Sequence, residues 1–123
     1  MKKEQQLQLN FDKARELRDQ GMRAASDHAD AVVPTWTERA LAYVHAIAMR
    51  QRTFTMEDVR MFAHNDGLPL PPDGRAWGTV ARVAAHRKWI AKQAYKEIAK
   101  DPKVHMNEVQ VWRSLLLTHE SDR

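Results

Sequence analysis

After Trp89 the hydrophobic period of this 123-residue chain changes from helical to strand-like, and only a fold that mixes the two kinds of element accommodates both. Up to Lys88 apolar residues recur at helical spacing. From Ile90 through Lys92, Ala94 and Lys96 the pattern alternates, a polar, turn-rich stretch comes next around Lys100-Asp101-Pro102, and Val109, Val111 and the pair Trp112-Arg113 form a second run. This predicts a two-stranded hairpin with a loose tip. Ala91 to Lys100 is not a strongly β-forming composition, so a helix prolonged through Ile98 to Lys100 is the competing reading of the first strand.

Three short helices are predicted ahead of the hairpin. Thr35-Trp36-Thr37-Glu38 comes after Pro34 with the spacing of a reciprocal capping box, in which Thr35 and Glu38 each satisfy a backbone donor. Trp36, Ala40, Tyr43, Val44 and Ile47 then fall on one side of a helix, as a core requires. Gln51 to Thr53 break it. Thr55 is placed to cap the second helix, Glu57 and Asp58 suit its dipole, and Val59, Phe62 and Ala63 supply its buried face. Asn65-Asp66-Gly67 stops that helix, and Leu68 to Gly74, with three prolines and a glycine, is a turn in which Asp73 is placed to cap the third helix. That helix runs from Arg75 to about Lys88. Ala76, Trp77, Val80, Ala81, Val83 and Ala84 share one side of it, and Arg75, Gly78, Thr79, Arg82 and His86 the other.

Upstream, Met1 to Asn10 is polar and expected to fray. From Phe11 the pattern is again helical: Phe11, Ala14, Leu17, Gly21, Met22, Ala25, Ala29 and Val32 share one side, and Asp12, Glu16, Asp19, Arg23, Asp27 and Asp30 the other. The stripe is thin and largely alanine, so this helix must pack on its own domain or on a second copy of the chain. The expected organisation is a flexible segment over 1–10, a packing or dimerisation helix over 11–33, a domain over 35–115 and a flexible tail over 116–123. Helix, helix, turn, helix and hairpin is the order of a winged helix-turn-helix. The expected fold class is therefore mainly α with a small β-hairpin, a winged helix-turn-helix preceded by an N-terminal helix.

Charge is distributed unevenly over this plan. Between Arg75 and Lys103 stand eight Lys and Arg residues against two acids, a local balance of +6 in a chain whose total is +4. A protein that is basic only along one helix and one hairpin suits a polyanion, of which nucleic acid is the commonest. The absence of cysteine excludes a disulfide framework, a thiolate metal site and a cysteine nucleophile. No apolar run approaches the length of a membrane span or a secretory signal, so a cytoplasmic location is expected, with no membrane partner.

The runs Phe54-Thr55-x-Glu57-Asp58-Val59, Gly74-Arg75-Ala76-Trp77-Gly78-x-Val80, Trp89-Ile90 and Val111-Trp112-Arg113 resemble a group of small phage- and prophage-encoded winged-helix proteins. The resemblance extends upstream through Asp27-His28-Ala29-Asp30 and Trp36-x-Glu38-Arg39-Ala40. It implies that Arg75-Ala76-Trp77-Gly78 opens a recognition helix, that Val111-Trp112-Arg113 is the final wing strand, and that the chain binds DNA in a bacterial host cell. Where the group usually has a glycine between the third helix and the first wing strand, this chain has Arg87-Lys88.

On that picture a helix enters the major groove if its face is slim and carries side chains that reach base edges. Gly78 and Thr79 supply the slimness. Arg75 and Arg82, two turns apart, divide into a base reader and a phosphate clamp, with Arg75 the expected reader and His86 and Arg87 beside them. Lys92, Lys96, Lys100 and Lys103 on the hairpin meet the flanking backbone, each neutralised phosphate steepening the salt dependence by about 0.9 in log K. Plainer readings stand beside these. A Lys and Arg run is also what a solvated face looks like, and Trp36, Trp77, Trp89 and Trp112, which could stack single strands, have the spacing of core residues.

No metal, cofactor or catalysis is expected. The six histidines (His28, His45, His64, His86, His105 and His119) show no ligand spacing such as His-Glu-x-x-His, and the chain lacks a phosphate loop and a Gly-x-Ser-x-Gly elbow. His64-Asn65 has no second histidine in the setting a metal nuclease needs. The leading expectation is duplex DNA binding in transcription control or replication, with a possible homodimer through the N-terminal helix. The alternative is an adaptor that uses the same fold to hold a protein, with Phe11 to Val32 as its contact surface.

Overall fold

A computed structural model describes residues 3–98, 100 and 108–117, with residues 3–9 described by their backbone alone. Seven elements succeed one another in the order α1 (Lys3–Val32), α2 (Trp36–Ala48), β1 (Thr53–Thr55), α3 (Met56–Asn65), α4 (Ala76–His86), β2 (Ile90–Ile98) and β3 (Glu108–Ser114). The strands form one antiparallel sheet in the order β1-β3-β2. Helices and a small antiparallel sheet were both expected; the sheet has one strand more than the hairpin. Thr53, Phe54 and Thr55 pair with Arg113, Trp112 and Val111. Three residues are too few to show a period, so this stretch reads in the sequence as a break.

The first strand of the hairpin is a strand, not a prolonged helix. Ile90 to Lys92 pair with Ser114 to Trp112, and Lys96 to Ile98 pair with Gln110 to Glu108. Between Lys92 and Lys96 the register slips, and the Gln110 amide fills the irregularity by donating to the Gln93 carbonyl at 2.7 Å and the Val111 carbonyl at 2.9 Å. A bulge of this kind adds twist and turns the outer part of the hairpin away from the plane of the rest.

Local chemistry sets most element ends. Thr55 caps α3 with a complete capping box: the Asp58 amide donates to Thr55 Oγ1 and the Thr55 amide donates to the Asp58 carboxylate. Gly67, at φ 108°, closes α3 in a conformation that side chains resist. Asp73 accepts from the Arg75 amide at 2.9 Å, but α4 starts at Ala76 with Arg75 in the cap position and no side chain capping it, so the expected Asp73 cap instead fastens the turn ahead of the helix. The start of α2 differs from expectation. Thr35 has φ 64° and no capping bond to the helix, its hydroxyl donating instead to the Pro34 carbonyl. Asp30 does that work from α1, accepting from the Thr37 amide at 2.8 Å and the Thr37 hydroxyl at 3.0 Å. Asp30 therefore does not belong to the outward face of α1, and Glu38, released from the box, pairs with Arg87.

The core lies between α2, α3, α4 and the sheet. Trp36, Leu41, Val44, Val59, Val80, Ile90 and Val111 are its largest fully buried members, and burying each contributes roughly 1.5–3 kcal/mol before chain entropy is counted. Trp36 and Trp77 meet edge to face, 5.3 Å between centroids, and Trp36 Nε1 donates to the Pro69 carbonyl at 2.9 Å, which ties the proline turn to α2. Trp36, Trp77 and Trp112 are buried, and Trp89 packs edge to face on His45. The tryptophans are used for packing.

α1 begins at Lys3 rather than Phe11, so the segment expected to fray is helical from Lys3. Its second half lies on α4 with Ala25, Ser26 and Ala29 buried, whereas Phe11 and Leu17 are 65% and 58% exposed. A Cβ on Gly21 would stand 2.9 Å from an Arg75 nitrogen, and one on Gly78 would collide with Met22 Sδ. Two glycines thus set how closely the helices cross. The tail from His119 lies outside the described residues.

Candidate nucleic-acid interface

The face of α4 expected to enter a groove carries Arg75, Gly78, Thr79, Arg82 and His86, and α1 lies over most of it. Gly78 is filled by Met22. Thr79 is partly buried, its Oγ1 out of solvent with no partner among the described residues. Arg82 pairs across the crossing with Asp19 at 3.2 Å. The slimness of this face is used here in a helix crossing, with Met22 against Gly78, where Gly78 and Thr79 were expected to approach bases. His86 is exposed at the end of the crossing, where Arg23, Thr79, Arg82, Val83, His86 and Arg87 surround a shallow crevice of about 550 Å³.

Arg75 is not a free reader in this arrangement. Its guanidinium holds Asp73 through Nε at 3.0 Å and an Nη at 2.7 Å, and the exchange raises the arginine's pKa and lowers the carboxyl's below the ordinary range, the hydrogen bonds being the larger cause. Arg87 pairs with Glu38 at 3.3 Å and lies over the Trp89 ring, 5.2 Å from its centroid. Lys100 Nζ meets Asp58 at 2.9 Å while its backbone amide donates to Glu57 at 2.7 Å. Hydrogen bonding to Asp58 raises the Lys100 pKa. Burial pushes the Asp58 carboxyl up, but the Lys100 and Thr55 hydrogen bonds together with the Lys100 charge outweigh it and hold that carboxyl below the ordinary range.

Four of the expected contact cations are thus tied to acids of the same chain. Each pair is partly exposed, so each contributes no more than about 1 kcal/mol and a phosphate competes for the cation. Lys92 and Lys96 differ. Both are exposed, opposite Trp112 and Gln110 in the register, and neither forms an ion pair among the described residues. Lys103 lies outside the described residues. No family model, curated protein or solved structure matches this chain.

The acids that occupy the arginines and Lys100, namely Asp19, Glu38, Asp58 and Asp73, read in the sequence only as dipole partners, a cap or an outward face. One signal for Asp19 was available. Gly21 and Gly78 are both glycines inside helical patterns, and an interior glycine usually has a packing reason. Among the described residues no helix is long and apolar enough to cross a membrane.

Proposed function

We propose that this protein binds duplex DNA with its β2–β3 hairpin leading, as a winged-helix module of the phage type used in transcription control or replication. The element order α2-β1-α3-α4-β2-β3, with β3 between its neighbours, supports a winged-helix reading. The observation that carries the choice of surface is the contrast between a covered α4 and exposed Lys92 and Lys96, which pair with no acid among the described residues. A two-stranded ribbon is among the elements that the major groove admits, and lysines along it neutralise phosphates without needing α4 to insert.

Anisotropy of labelled random duplexes between about 50 and 200 mM salt tests this, a range over which phosphate-driven binding weakens steeply. Lys92→Glu with Lys96→Glu is expected to abolish salt-sensitive binding, while Arg75→Glu with Arg82→Glu weakens it only a few-fold. The reverse ranking would make α4 the reader and require α1 to leave. Absence of binding at low salt would leave the adaptor reading. That second reading is favoured by one observation: Phe11 and Leu17 sit exposed on the part of α1 beyond its contact with α4, an apolar stripe available to a protein partner or a second copy.

A further inference from the structure

A second groove is larger than the crevice beside the α1–α4 crossing. It measures about 880 Å³ and runs between α3, the start of α4 and the hairpin, within the size range of small-ligand sites. Met56, Met61, Trp77, Ala81, Val109 and Trp112 give it apolar walls. Gly74, also on its wall, has only the Arg60 guanidinium near where a side chain would stand.

Two polar atoms of residues on this wall are buried without a partner among the described residues: Trp77 Nε1 and His64 Nε2. Trp77 is only 3% exposed. His64 Nδ1 lies 2.8 Å from the Leu68 carbonyl. A carbonyl only accepts, so Nδ1 carries the hydrogen, and in the neutral ring Nε2 is left as a bare acceptor. The two rings meet edge to face with centroids 5.7 Å apart. Both residues line the groove, so a donor and an acceptor without partners among the described residues lie just beneath one apolar wall, within a small side-chain shift of a ligand seated there, and buried polar atoms normally have partners.

We propose that this groove binds a small planar ligand carrying an amide edge, its carbonyl accepting from Trp77 Nε1 and its N–H donating to His64 Nε2, with the ring seated among Met56, Met61 and Trp112. The methionines suit such a role because their unbranched thioethers adapt to the ring they cover. A carboxamide on an aromatic ring and the lactam edge of a nucleobase share this chemistry. The site does not depend on how the hairpin meets DNA.

Benzamide and uracil are the probes, with methyl benzoate as the same-sized control that keeps the carbonyl and lacks the N–H. Proton–nitrogen spectra of the full chain resolve its four indole N–H signals, one per tryptophan. The Trp77 signal is identified by its loss in Trp77→Phe, or by contacts to the His64 ring where that variant does not fold. The expected result is a saturating downfield shift of that one signal, with a dissociation constant of roughly millimolar order for ligands of this size. Methyl benzoate should bind about tenfold more weakly, the loss set by one unmade hydrogen bond. His64→Phe should erase that preference while leaving the shift. Movement with benzamide alone or with uracil alone supports the site and says which source of the amide edge it takes. A Trp77 signal unmoved by both, or moved as strongly by methyl benzoate, would overturn the proposal and leave the two nitrogens merely hydrated.

Discussion

Gly78 and Lys88 show how one residue's meaning depends on what stands next to it. A side chain at 78 would meet Met22 Sδ, whereas the Met22 Cβ is 3.7 Å away, ordinary contact. Gly78→Ala should therefore gain about 0.5–1 kcal/mol of helix propensity in a Met22→Ala background and lose that gain in the natural one. Thermal or urea unfolding of the four proteins in a double-mutant cycle gives the coupling, and additivity would mean that Met22 does not fill the space at Gly78. Lys88, at φ 65°, occupies the left-handed conformation at the junction between α4 and β2, where a glycine would be cheap. Lys88→Gly should raise stability by about 1 kcal/mol, because a side chain disfavours that backbone. A fall in the unfolding midpoint would show instead that the lysine side chain holds a contact worth more than the strain. Neither was legible in the sequence: Arg87-Lys88 carries no local sign of a left-handed residue, and a glycine's sequence context cannot say which neighbour fills its space.

α3 and the hairpin are joined by a clamp between residues far apart in the chain. Asp58 completes the cap on α3 and takes the Lys100 ammonium, while Glu57 takes the Lys100 amide. Asp58 is held below its ordinary value of 3.8, so its contribution to stability is complete above that value and is lost as pH falls through the lower, folded-state one. Urea unfolding should thus give a stability that is level near neutrality and declines below about pH 4. Asp58→Ala should cost about 1 kcal/mol at neutral pH, the usual cost of a lost cap, and shallow the acid decline. An unchanged acid limb in that variant would assign the decline to other carboxylates such as Asp73. The Thr55 cap was legible because its partners lie within one turn. Thr35-x-x-Glu38 has the same local spelling, yet Asp30 of α1 reaches the Thr37 amide first, and only the packing of α1 on α2 brings it there.

The molecule divides into a packed body and a helix that outgrows it. Every described side chain from Asn10 to Arg18 is exposed, so α1 is held to the body from Asp19 onward. Hydrogen exchange should be fast over Phe11–Arg18 and slow over Met22–Ala29. Deleting residues 1–18 should change folding stability by less than about 0.5 kcal/mol, whereas deleting 1–33 should cost several, because it removes Met22, Ala25, Ala29 and the Asp30 cap together. A large loss from the shorter deletion would point to a partner for the projecting half. By itself the sequence determined the helix boundaries at Thr55 and Gly67, the core faces of α2 and α4, the hairpin and its local excess of positive charge, since each rests on spacing within a few residues. The tertiary structure alone decided that β1 joins the sheet, that acids distant in sequence occupy Arg82, Arg87 and Lys100, and that the small face of α4 lies beneath α1. Periodicity says which face of a helix is apolar or slim, but what covers that face is a contact between residues far apart in the chain, and no local pattern encodes it.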